Sequence, residues 1–187
     1  MPRKTRSWNP GDCFHITSRG NRKSNIFLDI GDYQMYLAML EETQQKHPFF
    51  LHSYCLMTNH VHLLLETIET PPKVFMKHIN SRYAMYFNRK YNLTGHLFEG
   101  RYNAVPVLGA IPLLNMSRYI HLNPVRAYMV SLPEEYPWSS YLSFVSNKPR
   151  KNVTTKTILQ YFQESPRENY RNYVMLEHIR WLQAKDS

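Results

Sequence analysis

The run Phe49-Phe50-Leu51-His52-Ser53-Tyr54-Cys55-Leu56-Met57-Thr58-Asn59-His60-Val61-His62-Leu63-Leu64-Leu65-Glu66 reads as two β-strands, 49–57 and 60–66, joined only by Thr58-Asn59. So short a link makes them an antiparallel hairpin. Residues two apart on a strand point to the same side, roughly 7 Å apart along the chain. His60 and His62 therefore project together, while Val61 and Leu63 face the other way. Two neutral imidazoles converging from one rigid strand suit a divalent cation. Histidines also settle in cores and at interfaces, so this spacing alone leaves both readings open.

Outward from the hairpin, the alternation Phe14-His15-Ile16-Thr17-Ser18 predicts a first strand at about 12–19. It empties into Arg19-Gly20-Asn21-Arg22-Lys23, a basic loop that suits a phosphate grip and a solvated turn equally. Asp29 or Asp32 caps a helix at about 30–46, with Tyr33, Tyr36, Leu37 and Leu40 as its apolar face. Pro71-Pro72 opens a helix at about 73–91. Phe75, Ile79, Tyr83 and Tyr86 are its packing face, and Lys77, Arg82, Arg89 and Lys90 lie on it or at its end. A loop over 93–101 precedes a short strand at about 102–108, and 113–122 forms a helix that Pro124 stops.

The order strand, helix, strand, strand, helix, strand is that of a ferredoxin-like split βαβ arrangement. It implies an α+β fold, with helices on one face of an antiparallel sheet and the other face open. Residues 1–146 make up this domain. Residues 147–187 form a basic helical C-terminal extension packed on the core, anchored by Tyr170, Tyr173 and Trp181; helical patterns recur at about 138–146, 154–163 and 167–183.

A chain of 187 residues, 43% hydrophobic and 14% aromatic, suits one globular domain with a sizeable core. It has no run of 18 apolar residues, so no membrane span is expected. The basic N-terminus lacks the apolar stretch of a secretory signal. Cys13 and Cys55 read as two buried thiols in a reducing cytoplasm rather than a disulfide. The expected location is the bacterial cytoplasm, in association with the nucleoid.

The net charge of +9 is segregated. Residues 1–23 carry six Lys/Arg against one acid, and 73–103 carry six against Glu99, whereas 24–72 hold one base and six acids. Basic segments interleaved with Tyr, Phe and Trp suit a polyanion that also offers flat bases for stacking. The alternative is a basic protein with no specific partner.

In the helix at 113–122, Tyr119 and Asn123 are four apart, about 6 Å along one face. A phenol and an amide oxygen so placed suit a nucleophile and a third metal ligand. Tyr83 and Tyr86 also lie on a helix, so spacing alone does not single out Tyr119 among fourteen tyrosines.

Three blocks then occur in order: Met57-Thr58-Asn59-His60-Val61-His62-Leu63-Leu64, Gly95-His96-Leu97-Phe98-Glu99-Gly100-Arg101-Tyr102, and Arg118-Tyr119-Ile120-His121-Leu122-Asn123-Pro124-Val125-Arg126-Ala127. Together they resemble the single-tyrosine HUH transposases, and are most similar to the REP-associated tyrosine transposase branch. Pro10-Gly11, His15-Ile16-Thr17-Ser18-Arg19-Gly20-Asn21 and Tyr136-Pro137-Trp138-Ser139-Ser140 fit as well. The likeness extends from residue 2 to about 141, and a lone His-x-His would be far less specific.

The resemblance implies a ferredoxin-like core that cleaves and rejoins single-stranded DNA beside hairpins through a 5′-phosphotyrosine. It implies Mg²⁺ or Mn²⁺ on His60 and His62, Asn123 as third ligand and Tyr119 as nucleophile. The expected DNA contacts are Arg3, Lys4, Arg6, Arg19, Asn21, Arg22, Lys23, Lys77, Arg82, Arg101, Arg118 and Arg126. The expected partners are single-stranded and hairpin DNA, bound by a monomer or a homodimer. Thr58 departs from a common proline, and Tyr128 stands where glycine often follows Arg-Ala. The competing reading is a non-catalytic hairpin DNA or RNA binder on the same fold. A replication or conjugation nickase would share the chemistry with different flanking motifs. A zinc hydrolase is disfavoured, because no His-Glu-x-x-His occurs.

Overall fold

The structure, a computed structural model, describes residues 8–147 and 150–184. The arm with Arg3, Lys4 and Arg6 lies outside the described residues. Strands β1 (Cys13–Arg19), β2 (Phe49–Met57), β3 (His60–Thr67) and β4 (Asn103–Pro106) form one antiparallel sheet in the order β2-β3-β1-β4. This is the expected ferredoxin-like arrangement, with the β2–β3 hairpin turning at Thr58-Asn59.

Alternation sorts the two faces of the sheet. Phe14, Ile16 and Ser18 of β1 pair with Leu65, Leu63 and Val61 of β3, and all six are buried. Over them lie α1 (Ile30–Lys46) and α2 (Pro72–Tyr91). Phe75 packs on Phe49, Asn80 donates to the Ser18 hydroxyl at 2.8 Å, and the Tyr83 hydroxyl donates to the Ile26 carbonyl. The start of α1 carries a reciprocal cap: Asp29 accepts from the Asp32 amide, and Asp32 accepts from the amides of Leu28 and Asp29. Asp32 is fully buried and also receives Lys90 and Tyr91 from α2, each at 2.8 Å. One carboxylate thus joins the N-terminus of α1 to the end of α2.

The opposite face carries Cys13, His15, Thr17 and Arg19 of β1 beside Glu66, Leu64, His62 and His60 of β3. It is open only in part. Helix α3 (Ala110–Arg126) packs against β2 and β3 there, with the Ser117 hydroxyl 2.7 Å from that of Ser53. The helix also runs through Pro124, where the sequence reading stops it. Ile120, His121, Pro124 and Val125 form one buried stripe, and packing along it holds the last turn despite the missing proline N–H. A Schellman motif closes α3: Tyr128 N–H donates to Val125 and Met129 N–H to Pro124, both at 2.9 Å. Tyr128 accordingly adopts φ 57°, the left-handed region that favours glycine.

The C-terminal segment forms α4 (Tyr141–Val145), α5 (Lys156–Leu159) and α6 (Pro166–Gln183), the first two shorter than the sequence pattern suggests. A buried polar chain fastens α6 to α3. The Tyr170 hydroxyl sits 2.7 Å from both Ser117 Oγ and His121 Nδ1, and His121 Nε2 lies 2.8 Å from Ser140 Oγ. Ser140 Oγ in turn accepts from the Tyr54 amide of β2. Burial drives the His121 pKa down to about 3, so this imidazole is neutral and can both donate and accept. Cys13 and Cys55 are free thiols, Cys55 being buried, and no described helix is long and apolar enough to cross a membrane.

Candidate active site

His60 and His62 leave β3 on the side that α3 covers, and their Nε2 atoms stand 3.0 Å apart. The Nδ1 of His60 is 2.6 Å from Asn59 Oδ1, and the Asn59 amide nitrogen donates to the Lys23 carbonyl at 3.1 Å. That second bond orients the amide, so its oxygen faces His60 and the His60 proton must sit on Nδ1. Nε2 of His60 is therefore a bare lone pair. Burial first, then the charge of Arg19, lowers the His60 pKa below the usual histidine value. His62 lies well below it, through burial and then the charges of His60 and His15. Both rings are neutral near pH 7, as ligands must be.

The pair fits a divalent cation. Two donor atoms each about 2.1 Å from one ion, and at a right angle to each other, are about 3.0 Å apart. Among the described residues no three His, Cys, Asp or Glu side chains form a metal-holding group. An ion here would therefore need an amide, water or substrate oxygen to complete its shell.

Tyr119 of α3 comes to this pair. Its ring meets His62 edge-on at 5.7 Å and His15 at 6.1 Å, and it is 38% exposed. Asn123, one turn on, donates its amide N–H to the Tyr119 carbonyl at 2.8 Å. Among the described residues no hydrogen bond joins Asn123 to either histidine. Tyr83, by contrast, is fully buried under the other face of the sheet, and Tyr86 also lies on α2.

The basic residues divide by location. Arg19, Asn21, Arg22 and Lys23 are exposed at the end of β1. Arg19 pairs with His60 across the strands, so this loop borders the histidines. Exposed Arg101 follows the segment whose Leu97 carbonyl and Glu99 amide bond the backbones of Asn21 and Arg19. Arg118 and Arg126 flank Tyr119 on α3, yet both are engaged by Glu177 of α6, at 3.5 and 3.2 Å. The Arg126 guanidinium also lies 5.8 Å over the Tyr119 ring. Lys77 and Arg82 sit on α2, across the sheet from the histidines, and Arg82 pairs with Glu42 at 2.7 Å.

Two contributors were missed as site residues in the sequence reading, Asn59 and His15. The Nε2 of His15 is 2.9 Å from His62 Nδ1, with the rings stacked 11° from parallel. Each lies within a stretch quoted above, and His15 has the strand parity of Thr17, the partner of His62. The signal was the alternation of β1, but its register against β3 was needed to use it.

Residues 13–123 match the family model described as transposase, IS200-like, and the chain belongs to that family. Among solved structures it resembles a REP-associated tyrosine transposase bound to a REP hairpin. The TM-score is 0.67 at 18% identity, covering 82% of this chain and 91% of that one. A Deinococcus radiodurans protein described as a transposase aligns with a TM-score of 0.44 at 16% identity, over 68% of this chain and 92% of that one. No curated protein sequence matches significantly.

Proposed function

We propose that the chain is a metal-dependent single-stranded DNA endonuclease and strand transferase acting beside DNA hairpins, with Tyr119 as nucleophile. Two things support hairpin DNA as the substrate: membership of the transposase family, and the fold shared with a relative whose structure holds a REP hairpin. The observation that carries the chemistry is the Tyr119 ring lying against His62 while His62 and His60 converge.

In this reading the Tyr119 hydroxyl gives up its proton and its oxygen bonds to phosphorus. The bond from phosphorus to the 3′ oxygen breaks, leaving a free 3′-OH on one fragment and a 5′-phosphotyrosine on the other. Attack by a 3′-OH on that phosphotyrosine rejoins the strand and releases the phenol. His60, His62 and Asn123 would hold Mg²⁺ or Mn²⁺, which when bound polarises the phosphate and relieves charge on the departing oxygen. Arg126, over the Tyr119 ring, adds positive charge beside the phenol.

The test is a denaturing gel of protein incubated with Mn²⁺ and single-stranded oligonucleotide carrying a hairpin. Wild type forms a covalent adduct through the 5′-phosphate, and Tyr119→Phe binds the same DNA without forming it. An adduct that survives in Tyr119→Phe would assign another tyrosine. Tight hairpin binding with no wild-type adduct would favour the non-catalytic reading.

A further inference from the structure

The hydrogen-bond chain through the site continues past the pair that the proposed function uses. His60 Nε2 carries no proton, because its Nδ1 proton is committed to Asn59. The 3.0 Å contact between the two Nε2 atoms needs one hydrogen, so it belongs to His62. His62 Nδ1 is then bare, and at 2.9 Å it accepts from the Nε2–H of His15. In this arrangement the proton of His62 occupies the nitrogen that a cation would take.

We infer that His15 is a positioning residue that sets the tautomer of His62, and that its own tautomer reverses when the pair takes up a cation. The inference rests on reading His60 and His62 as metal ligands. For His62 to offer a bare Nε2 while neutral, its proton must move to Nδ1. That nitrogen lies in a buried place, His62 being 5% exposed, and the acceptor within reach is His15 Nε2. His15 must then carry its proton on Nδ1. Three ring protons are present before and three after, so nothing is gained or lost by the trio. Ligating histidines commonly donate their second N–H to such an outer partner, and here the partner is a third imidazole in place of a carboxylate or carbonyl.

Packing is the competing explanation, since His15 stacks on His62 at 5.2 Å and touches Tyr119 edge-on. Two substitutions separate the roles. His15→Phe keeps a flat ring but offers no acceptor, and His15→Gln keeps a polar acceptor without the ring. The full-length proteins are titrated with Mn²⁺ alone, read by electron paramagnetic resonance, and melted without metal. His15→Phe should bind Mn²⁺ roughly ten- to a hundred-fold more weakly, the scale typical of lost outer partners, and His15→Gln should stay within about three-fold of wild type. Nitrogen chemical shifts of the wild-type histidines, recorded before and after Mg²⁺, should show His15 passing from the Nε2–H to the Nδ1–H form although it is not a ligand.

Wild-type affinity in His15→Phe overturns the inference. So does a loss in His15→Gln equal to that in His15→Phe, or an unchanged His15 tautomer on loading. If wild type binds no Mn²⁺ at all, the metal reading falls and takes this inference with it. If wild type binds, His60→Ala does not, and His15→Phe does, only the role of His15 falls.

Discussion

His60 and His62 hold their Nε2 atoms 3.0 Å apart, with the other nitrogen of His60 spent on Asn59. One strand therefore delivers two ring nitrogens at the spacing of adjacent corners of an octahedron. Replacing either histidine with alanine should slow cleavage by roughly a hundred-fold or more, in line with loss of a Lewis acid at the phosphate. Chelator should silence the wild type, and hairpin binding should survive both. Full cleavage in chelator would remove the metal role.

Glu177 sits between Arg118 and Arg126, the two arginines that flank Tyr119 along α3. Its carboxylate neutralises part of the charge that the two arginines would otherwise offer to a phosphate. Glu177→Gln keeps the shape and removes the charge, so affinity for single-stranded DNA should rise by about five-fold, the worth of about 1 kcal/mol between partly solvated charges. Stability should fall by about 1 kcal/mol, because all three side chains are half-buried and still keep part of their solvent. Unchanged DNA affinity would mean that neither arginine lies on the DNA path.

Strand parity carried much of the site into the sequence. His60 and His62 had to share a face once 60–66 was a strand, and Tyr119 and Asn123 had to share one on a helix. What stayed hidden depended on register and tertiary packing. His15 meets His62 only because β1 pairs with β3 in one particular register. Arg118 and Arg126 read as free cations until Glu177 arrives from a helix more than fifty residues away. The stop at Pro124 failed because local backbone preference gave way to a buried stripe that continues to Val125. Tyr128 is the converse case. Its oddity, a tyrosine in a place suited to glycine, was visible in the sequence and recurs as a left-handed φ.

Asp32 should set much of the acid limit of the fold. Burial alone would push its carboxyl up, but hydrogen bonds from Lys90, the Leu28 amide, Tyr91 and the Asp29 amide more than offset this and hold it below the usual range. A carboxyl depressed in the folded state contributes stability that is present above its unfolded pKa of about 3.9 and is lost as pH falls through the folded value. Wild type should therefore lose stability as the pH drops below about 4. Asp32→Asn should be less stable at pH 7, by about 2–4 kcal/mol from weakened caps and the lost buried charge opposite Lys90, which keeps only Asp29, and should lose less on further acidification. Parallel acid profiles for the two proteins, from chemical denaturation between pH 3 and 7, would contradict this account.

For the route of the DNA, the two faces of the sheet give opposite answers. Arg22 and Lys23 stand exposed on the loop that borders the histidines, and the Lys23 carbonyl orients Asn59. Lys77 and Arg82 lie on α2, behind the sheet. If Tyr119 is the nucleophile, a short oligonucleotide spanning only the cleavage site should reach the first group and not the second. Each phosphate contact contributes roughly 0.7 to the slope of log affinity against log salt for single strands. Arg22→Ala with Lys23→Ala should flatten that slope by up to about 1.4 on the short oligonucleotide, with similar losses for matched and scrambled sequences, because phosphate contacts position without specifying. Lys77→Ala should leave the slope unchanged on the same DNA. Arg3, Lys4 and Arg6 provide a third comparison. If they read bases, replacing all three should reduce discrimination between matched and scrambled hairpin flanks as well as the slope. A larger loss of slope from Lys77→Ala than from the loop pair would place the reacting strand on the wrong side of the sheet, and with it the assignment of Tyr119.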